Sequence, residues 1–97
     1  MTNGWTHMPR RRPNIKDIAV LRLLKKIAEI KAAKGRWPYT RELLQHLGEW
    51  GYGQDVLDEA VRRGLVVRFE GKCASPRPCV FNRLTEKGEE VLKLLAG

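Results

Sequence analysis

The apolar residues of this chain change their spacing in a fixed order, and that order limits the folds open to it. From Ala19 through Leu23 and Ile27 to Ile30 they recur at the three-to-four-residue period of a helix. The helical period returns twice more, in Leu43, Leu44 and Leu47, and then in Val56, Leu57, Ala60 and Val61. The pattern then changes to short β-rich runs, Leu65-Val66-Val67-Arg68-Phe69 and Val80-Phe81-Asn82-Arg83-Leu84, which read as two antiparallel strands. A last helical segment carries Val91, Leu92 and Leu95 on one face. The order is helix, helix, helix, strand, strand, helix, an α+β arrangement.

Stop and start signals support these divisions. Asn14 is a good N-cap with Asp17 in the first turn, and Gly35 ends a first helix of about 20 residues. Thr40 is placed to cap the second helix, which Gly48 ends; the third begins after Gly51 and Gly53 and stops at Gly64. Thr85 caps a fourth helix spanning Glu86–Ala96. Residues 70–79, rich in Gly, Pro and charge, form the tip between the strands.

With 97 residues the chain holds one domain and no second, and its core is too small for a large enzymatic cleft. Residues 14–97 form that domain. Residues 1–13, with two prolines and no apolar periodicity, are expected to be a mobile basic arm. No apolar run approaches the ~20 residues of a spanning helix, nor is there a leader-like apolar segment, so a cytoplasmic protein is expected.

The formal charge of +8 and a pI near 10.0 make a polyanion the default partner. The charge is unevenly placed. Arg10, Arg11 and Arg12 mark the arm, residues 15–36 carry seven Lys and Arg against Asp17 and Glu29, and residues 65–84 carry four against Glu70. The second and third helices are net acidic.

On a helical wheel, the apolar side of the first helix runs from Ala19 through Leu23, Ile27, Val20, Leu24 and Ala28 to Leu21, more than half the circumference. A surface helix needs only a ~100° stripe. Two arrangements fit the excess: a homodimer packed through this helix and the C-terminal one, or a central helix surrounded by its own domain.

A helix-turn-helix followed directly by a hairpin is the plan of a winged helix, in which one helix enters the major groove and the hairpin reaches a neighbouring groove. The residues point the same way. Arg41-Glu42-Leu43-Leu44, Leu47-Gly48, Leu57, Arg63-Gly64-Leu65-Val66 and Arg83-Leu84-Thr85-Glu86-Lys87-Gly88, in that order, resemble winged helix-turn-helix regulators of the MarR/ArsR/PadR type, especially small archaeal ones. The resemblance spans residues 15–96. It implies double-stranded DNA binding and transcriptional regulation as a homodimer on a palindromic site. It also implies a recognition helix at residues 51–63 and a wing at residues 70–79.

That helix offers Tyr52, Gln54, Asp55, Asp58, Glu59, Arg62 and Arg63 outward. In one reading Gln54 reads adenine, Asp55 accepts from cytosine N4, and Tyr52 meets a phosphate or a thymine methyl. In the other, Asp55 favours the helix N-terminus while Asp58 with Arg62, and Glu59 with Arg63, form surface pairs. The wing carries Arg68, Lys72, Arg77 and Arg83, with Arg77 held stiffly between Pro76 and Pro78 for phosphate or minor-groove contact. Thr40 and Arg41, opening the second helix, suit a backbone phosphate. The arm's Arg10, Arg11 and Arg12 add non-specific affinity. Trp37 before Pro38 is expected to close the core.

Cys73 and Cys79 face each other across the hairpin turn, as a disulfide stiffening the wing or as free, redox-responsive thiols. A disulfide persists inside cells chiefly in hyperthermophiles, a source consistent with only five Asn and Gln and many Lys and Arg. His7 and His46 lie too far from the cysteines to complete a zinc site. No cofactor is expected, and no catalytic motif is present. Two rival functions remain: an RNA-binding or ribosome-associated winged helix, and a protein-interaction winged helix using the acidic third helix.

Overall fold

A computed structural model of the protein describes residues 15–96. The expectations for Arg10, Arg11, Arg12 and the Asn14 cap lie outside these residues. The elements are α1 (Ile15–Lys34), α2 (Thr40–Glu49), α3 (Gln54–Arg62), β1 (Val66–Gly71), β2 (Cys79–Leu84) and α4 (Glu86–Ala96). Their order is the expected one. Among the described residues, no helix is long and apolar enough to cross a membrane.

The core is built around α1. Ala19, Leu23, Leu24 and Ile27 are fully buried, and α2, α3, β2 and α4 all pack against this helix. Leu43, Leu47, Leu57 and Ala60 close the opposite wall. Each such aliphatic side chain removed from water contributes roughly 1.5–3 kcal/mol. The wide apolar arc of α1 is thus covered within the chain. Ile18 (51% exposed) and, on α4, Leu94 (83%) and Leu95 (56%) remain outside it. Trp37 packs half-buried against the core, with the Lys31 ammonium 5.1 Å from its ring centre.

β1 and β2 pair antiparallel, from Val66 opposite Leu84 to Gly71 opposite Cys79. The ladder reaches further toward the turn than the alternation suggested, so β1 runs from Val66 to Gly71 rather than 65–69, and the tip shortens to residues 72–78. A disulfide closes the tip beside the last ladder pair, Cys73 and Cys79 being joined with Cα atoms 6.0 Å apart.

Two features of the α1–α2 connection were not legible as patterns. Tyr39 makes a β-bridge to Phe81, and the Asn82 N–H donates to Pro38 O at 2.9 Å, so the connection runs along the free edge of β2. The cap of α2 also shifts by one residue. Tyr39 occupies the N-cap position and its N–H donates to Glu42 Oε1 at 2.9 Å. Thr40, expected as the cap, instead accepts from Asn82 Nδ2 at 3.0 Å.

The "RGLV" and "LTEKG" segments meet at one junction. Gly64, at φ +75°, turns the chain from α3 into β1 in a conformation that L side chains rarely adopt. Thr85 Oγ1 donates to Gly64 O at 2.6 Å and accepts from the Gly88 N–H at 3.0 Å, which caps α4 as expected. Gly88 lies so close to Leu65 that a Cβ would stand 2.2 Å from the Leu65 carbonyl oxygen. These residues fix α4 against the start of the hairpin.

Candidate nucleic-acid interface

α3 turns Val56, Leu57 and Ala60 into the core and leaves Gln54, Asp55, Asp58 and Arg62 exposed. Each of its carboxylates has a cation of the same chain beside it. Lys16 Nζ of α1 is 3.6 Å from Asp55 Oδ2. Arg68 of β1 donates to Asp58 Oδ1 at 2.5 Å. Glu59 accepts from both Arg62 and Arg63, and these hydrogen bonds, Arg62's first, bring its carboxyl down to about 2. Arg63 also donates to Asp17 Oδ1 at 2.7 Å, tying α3 to α1.

The pairing differs from the helical-spacing expectation in one respect. Asp58 was expected to pair with Arg62 four residues on; it bonds Arg68 across to the hairpin, and Arg62 turns back to Glu59. The hairpin stands close enough for Arg68 to reach α3, a tertiary fact that spacing along one helix does not contain. Exposed pairs of this kind add little stability. Their effect here is to cancel the negative charge of α3.

The hairpin and the start of α2 present the opposite situation. Arg41, Lys72, Arg77 and Arg83 are exposed and have no carboxylate partner among the described residues. Arg77 sits between its two prolines, its N–H donating to Ser75 Oγ at 3.2 Å. The tip and the first turn of α2 face each other across an open groove of about 490 Å³, with Thr40, Arg41 and Gln45 on one wall and Ala74, Ser75 and Val80 on the other. At the tip, Lys72, Arg77 and Glu70 border a second hollow of about 440 Å³.

The carboxylate at this groove is neutralised as well. Glu42 accepts from Arg36 at 2.8 and 3.1 Å, from Lys34 at 2.6 Å and from the Tyr39 N–H, and its carboxyl falls to about 2, the Arg36 bond being the largest cause. Among the described residues, what remains around the tip is net positive.

The expected site residues therefore fall into separate groups. Thr40 and Arg41 share a groove with the tip, Lys72 and Arg77 border a second hollow at the tip, and Arg83 lies exposed on β2, opposite Val67. Asp55, Arg62 and Arg68 are engaged in ion pairs, whereas Gln54 is exposed at the start of α3. Tyr52 is half-buried against the core, its N–H donating to Leu47 O at 2.7 Å.

Sequence reasoning missed Gln45 and Asn82. Asn82 is fully buried and links β2 to Thr40. Its neighbour Phe81 is buried too, against Tyr39 and Phe69, so β2 is covered on both faces and loses the alternation that would have marked a buried polar residue. Among the described residues, no three His, Cys, Asp or Glu side chains are grouped to hold a metal. No known family model, curated protein or solved structure matches this chain.

Proposed function

We propose that this protein is a winged-helix domain that binds double-stranded DNA and acts as a transcriptional regulator, similar in plan to the MarR/ArsR/PadR-type proteins that its sequence resembles. The order of elements supports the plan, as does the α1–α2 connection laid along β2 by the Tyr39–Phe81 bridge. The hairpin is the wing and α3 the helix that faces the major groove. The observation that carries the reading is the division of charge: α3's carboxylates are held by the chain's own cations, while Arg41, Lys72, Arg77 and Arg83 have no carboxylate partner among the described residues.

In this reading affinity comes first from the wing and the start of α2, where Arg77, Lys72, Arg83 and Arg41 neutralise phosphates and release counterions. Sequence preference comes second, through Gln54 at the exposed start of α3. A fluorescence-anisotropy titration of duplex DNA over a salt series tests this. Four phosphate contacts give a log–log slope of about −3 to −4, and removal of Arg77 flattens it. Binding to structured RNA in preference to duplex, or no nucleic-acid binding even at low salt, overturns it.

A further inference from the structure

Among the described residues, nothing pairs with the outer edge of β1. In the hairpin ladder the Thr85 N–H donates to Leu65 O at 3.0 Å, which sets the phase of the alternation: Val67, Phe69 and Gly71 bond toward β2. Val66, Arg68 and Glu70 therefore direct their N–H and C=O groups away from it. The Asn82 N–H, opposite Arg68, confirms the phase by pointing away from β1 to Pro38 O. The outward groups of Arg68 and Glu70 make no backbone hydrogen bond among the described residues. The strand is also apolar for an edge, with Val67 and Phe69 each 37% exposed. Such an edge is a template for another strand.

We propose that this edge pairs with the same edge of a second copy, joining two hairpins into one four-stranded antiparallel sheet. The charges select a single register. Two-fold pairing centred on Arg68 sets Arg68 against its own copy; centring on Glu70 sets Glu70 against Glu70 and Arg68 against Lys72. Centring on Phe69 sets Arg68 opposite Glu70 of the other copy, twice. Those residues are also the ones whose N–H and C=O groups face outward, so they form the hydrogen-bonded pairs of the new ladder. On the opposite face Phe69, already stacked on Phe81 at 5.3 Å, meets its symmetry mate, and Val67 lies over Gly71, which has no side chain. Arg68 keeps Asp58, because a guanidinium has donors for two carboxylates. The interface stands whether or not the protein binds DNA.

The test is sedimentation equilibrium over a concentration series, without nucleic acid. The wild-type chain forms a dimer. Glu70→Lys, which sets two cations opposite each other, and Glu70→Pro, which removes an outward N–H and no bond to β2, each raise the dimer dissociation constant at least tenfold. Leu94→Glu on α4 leaves it unchanged. Phe69→Cys, on the axis where opposed Cβ atoms lie closest, cross-links the dimer on mild oxidation, and Val67→Cys does not; this comparison stands even if the Glu70 variants fold poorly. A monomer at every concentration, or a dimer abolished by Leu94→Glu and indifferent to both Glu70 variants, overturns the proposal.

Discussion

Alanine inside a helix is ordinarily better than glycine by about 1 kcal/mol, yet Gly88→Ala is expected to weaken this protein. Its Cβ would stand 2.2 Å from Leu65 O and 3.2 Å from Leu65 C. Carbon and oxygen approach to about 3.3 Å in favourable contacts, so α4 or the Gly64–Leu65 turn has to move by about 1 Å. Neither is free to do so. Leu65 O accepts the Thr85 N–H at 3.0 Å, the Leu65 N–H donates to Ala60 O at 3.0 Å, and Thr85 Oγ1 holds Gly64 O. Overpacking costs about 1–3 kcal/mol and a disturbed cap about 1 more, leaving a net loss of roughly 2 kcal/mol after the helix gain. In urea unfolding followed by circular dichroism, the midpoint falls with little change in slope, and Tm drops by roughly 10 °C. A Gly88→Ala protein melting at or above the parent's temperature would refute the close docking of α4 on the hairpin's start.

Other outcomes follow from the same geometry. Asp58→Asn releases Arg68 and removes a negative charge beside it, so duplex affinity rises and the salt dependence steepens by about one phosphate contact; unchanged anisotropy titrations would count against Arg68 being shielded by Asp58. Replacing Cys73 and Cys79 by serine opens a short loop and lowers unfolding free energy by about 2 kcal/mol in the chain-entropy account. It also lowers duplex affinity by loosening the tip, which titration under reducing and oxidising conditions checks on the unmodified chain. Glu42 has a carboxyl held at about 2 against 4.5 in the unfolded chain, so its contribution is present above pH 4.5 and lost as pH falls toward 2. Glu42→Gln removes on the order of 2 kcal/mol at neutral pH and flattens the acid limb of stability against pH.

Much of the fold was legible because each element carries its own signal. Gly35, Gly64 and Thr85 bound the helices, and the change of apolar period marks where helices give way to strands; α2, however, runs through the expected stop at Gly48 to Glu49, and the left-handed turn after it falls at Gly51. The extent of α1's apolar side was legible as well, but not what covers it, since a central helix and a dimer helix share one pattern. Relations between elements escaped. The Arg68–Asp58 pair, the Tyr39 bridge to Phe81 and the burial of Asn82 all depend on where the hairpin lies relative to the helices. The candidate site was half legible for the same reason. The hairpin's cations could be read from composition, while the pairing of Arg68 with Asp58 of α3, which leaves Arg77 without a carboxylate among the described residues, depends on how the hairpin lies against that helix.

The central claim is that the wing's cations, which have no carboxylate partner among the described residues, grip duplex DNA. Anisotropy titration of a random-sequence duplex over a salt series, comparing the wild-type protein with Arg77→Ala and Arg62→Ala, tests it most directly. The account predicts a steep slope that Arg77→Ala flattens by about one unit and that Arg62→Ala, already spent on Glu59, leaves nearly unchanged. Equal effects of the two substitutions, or no duplex binding at low salt, would contradict it.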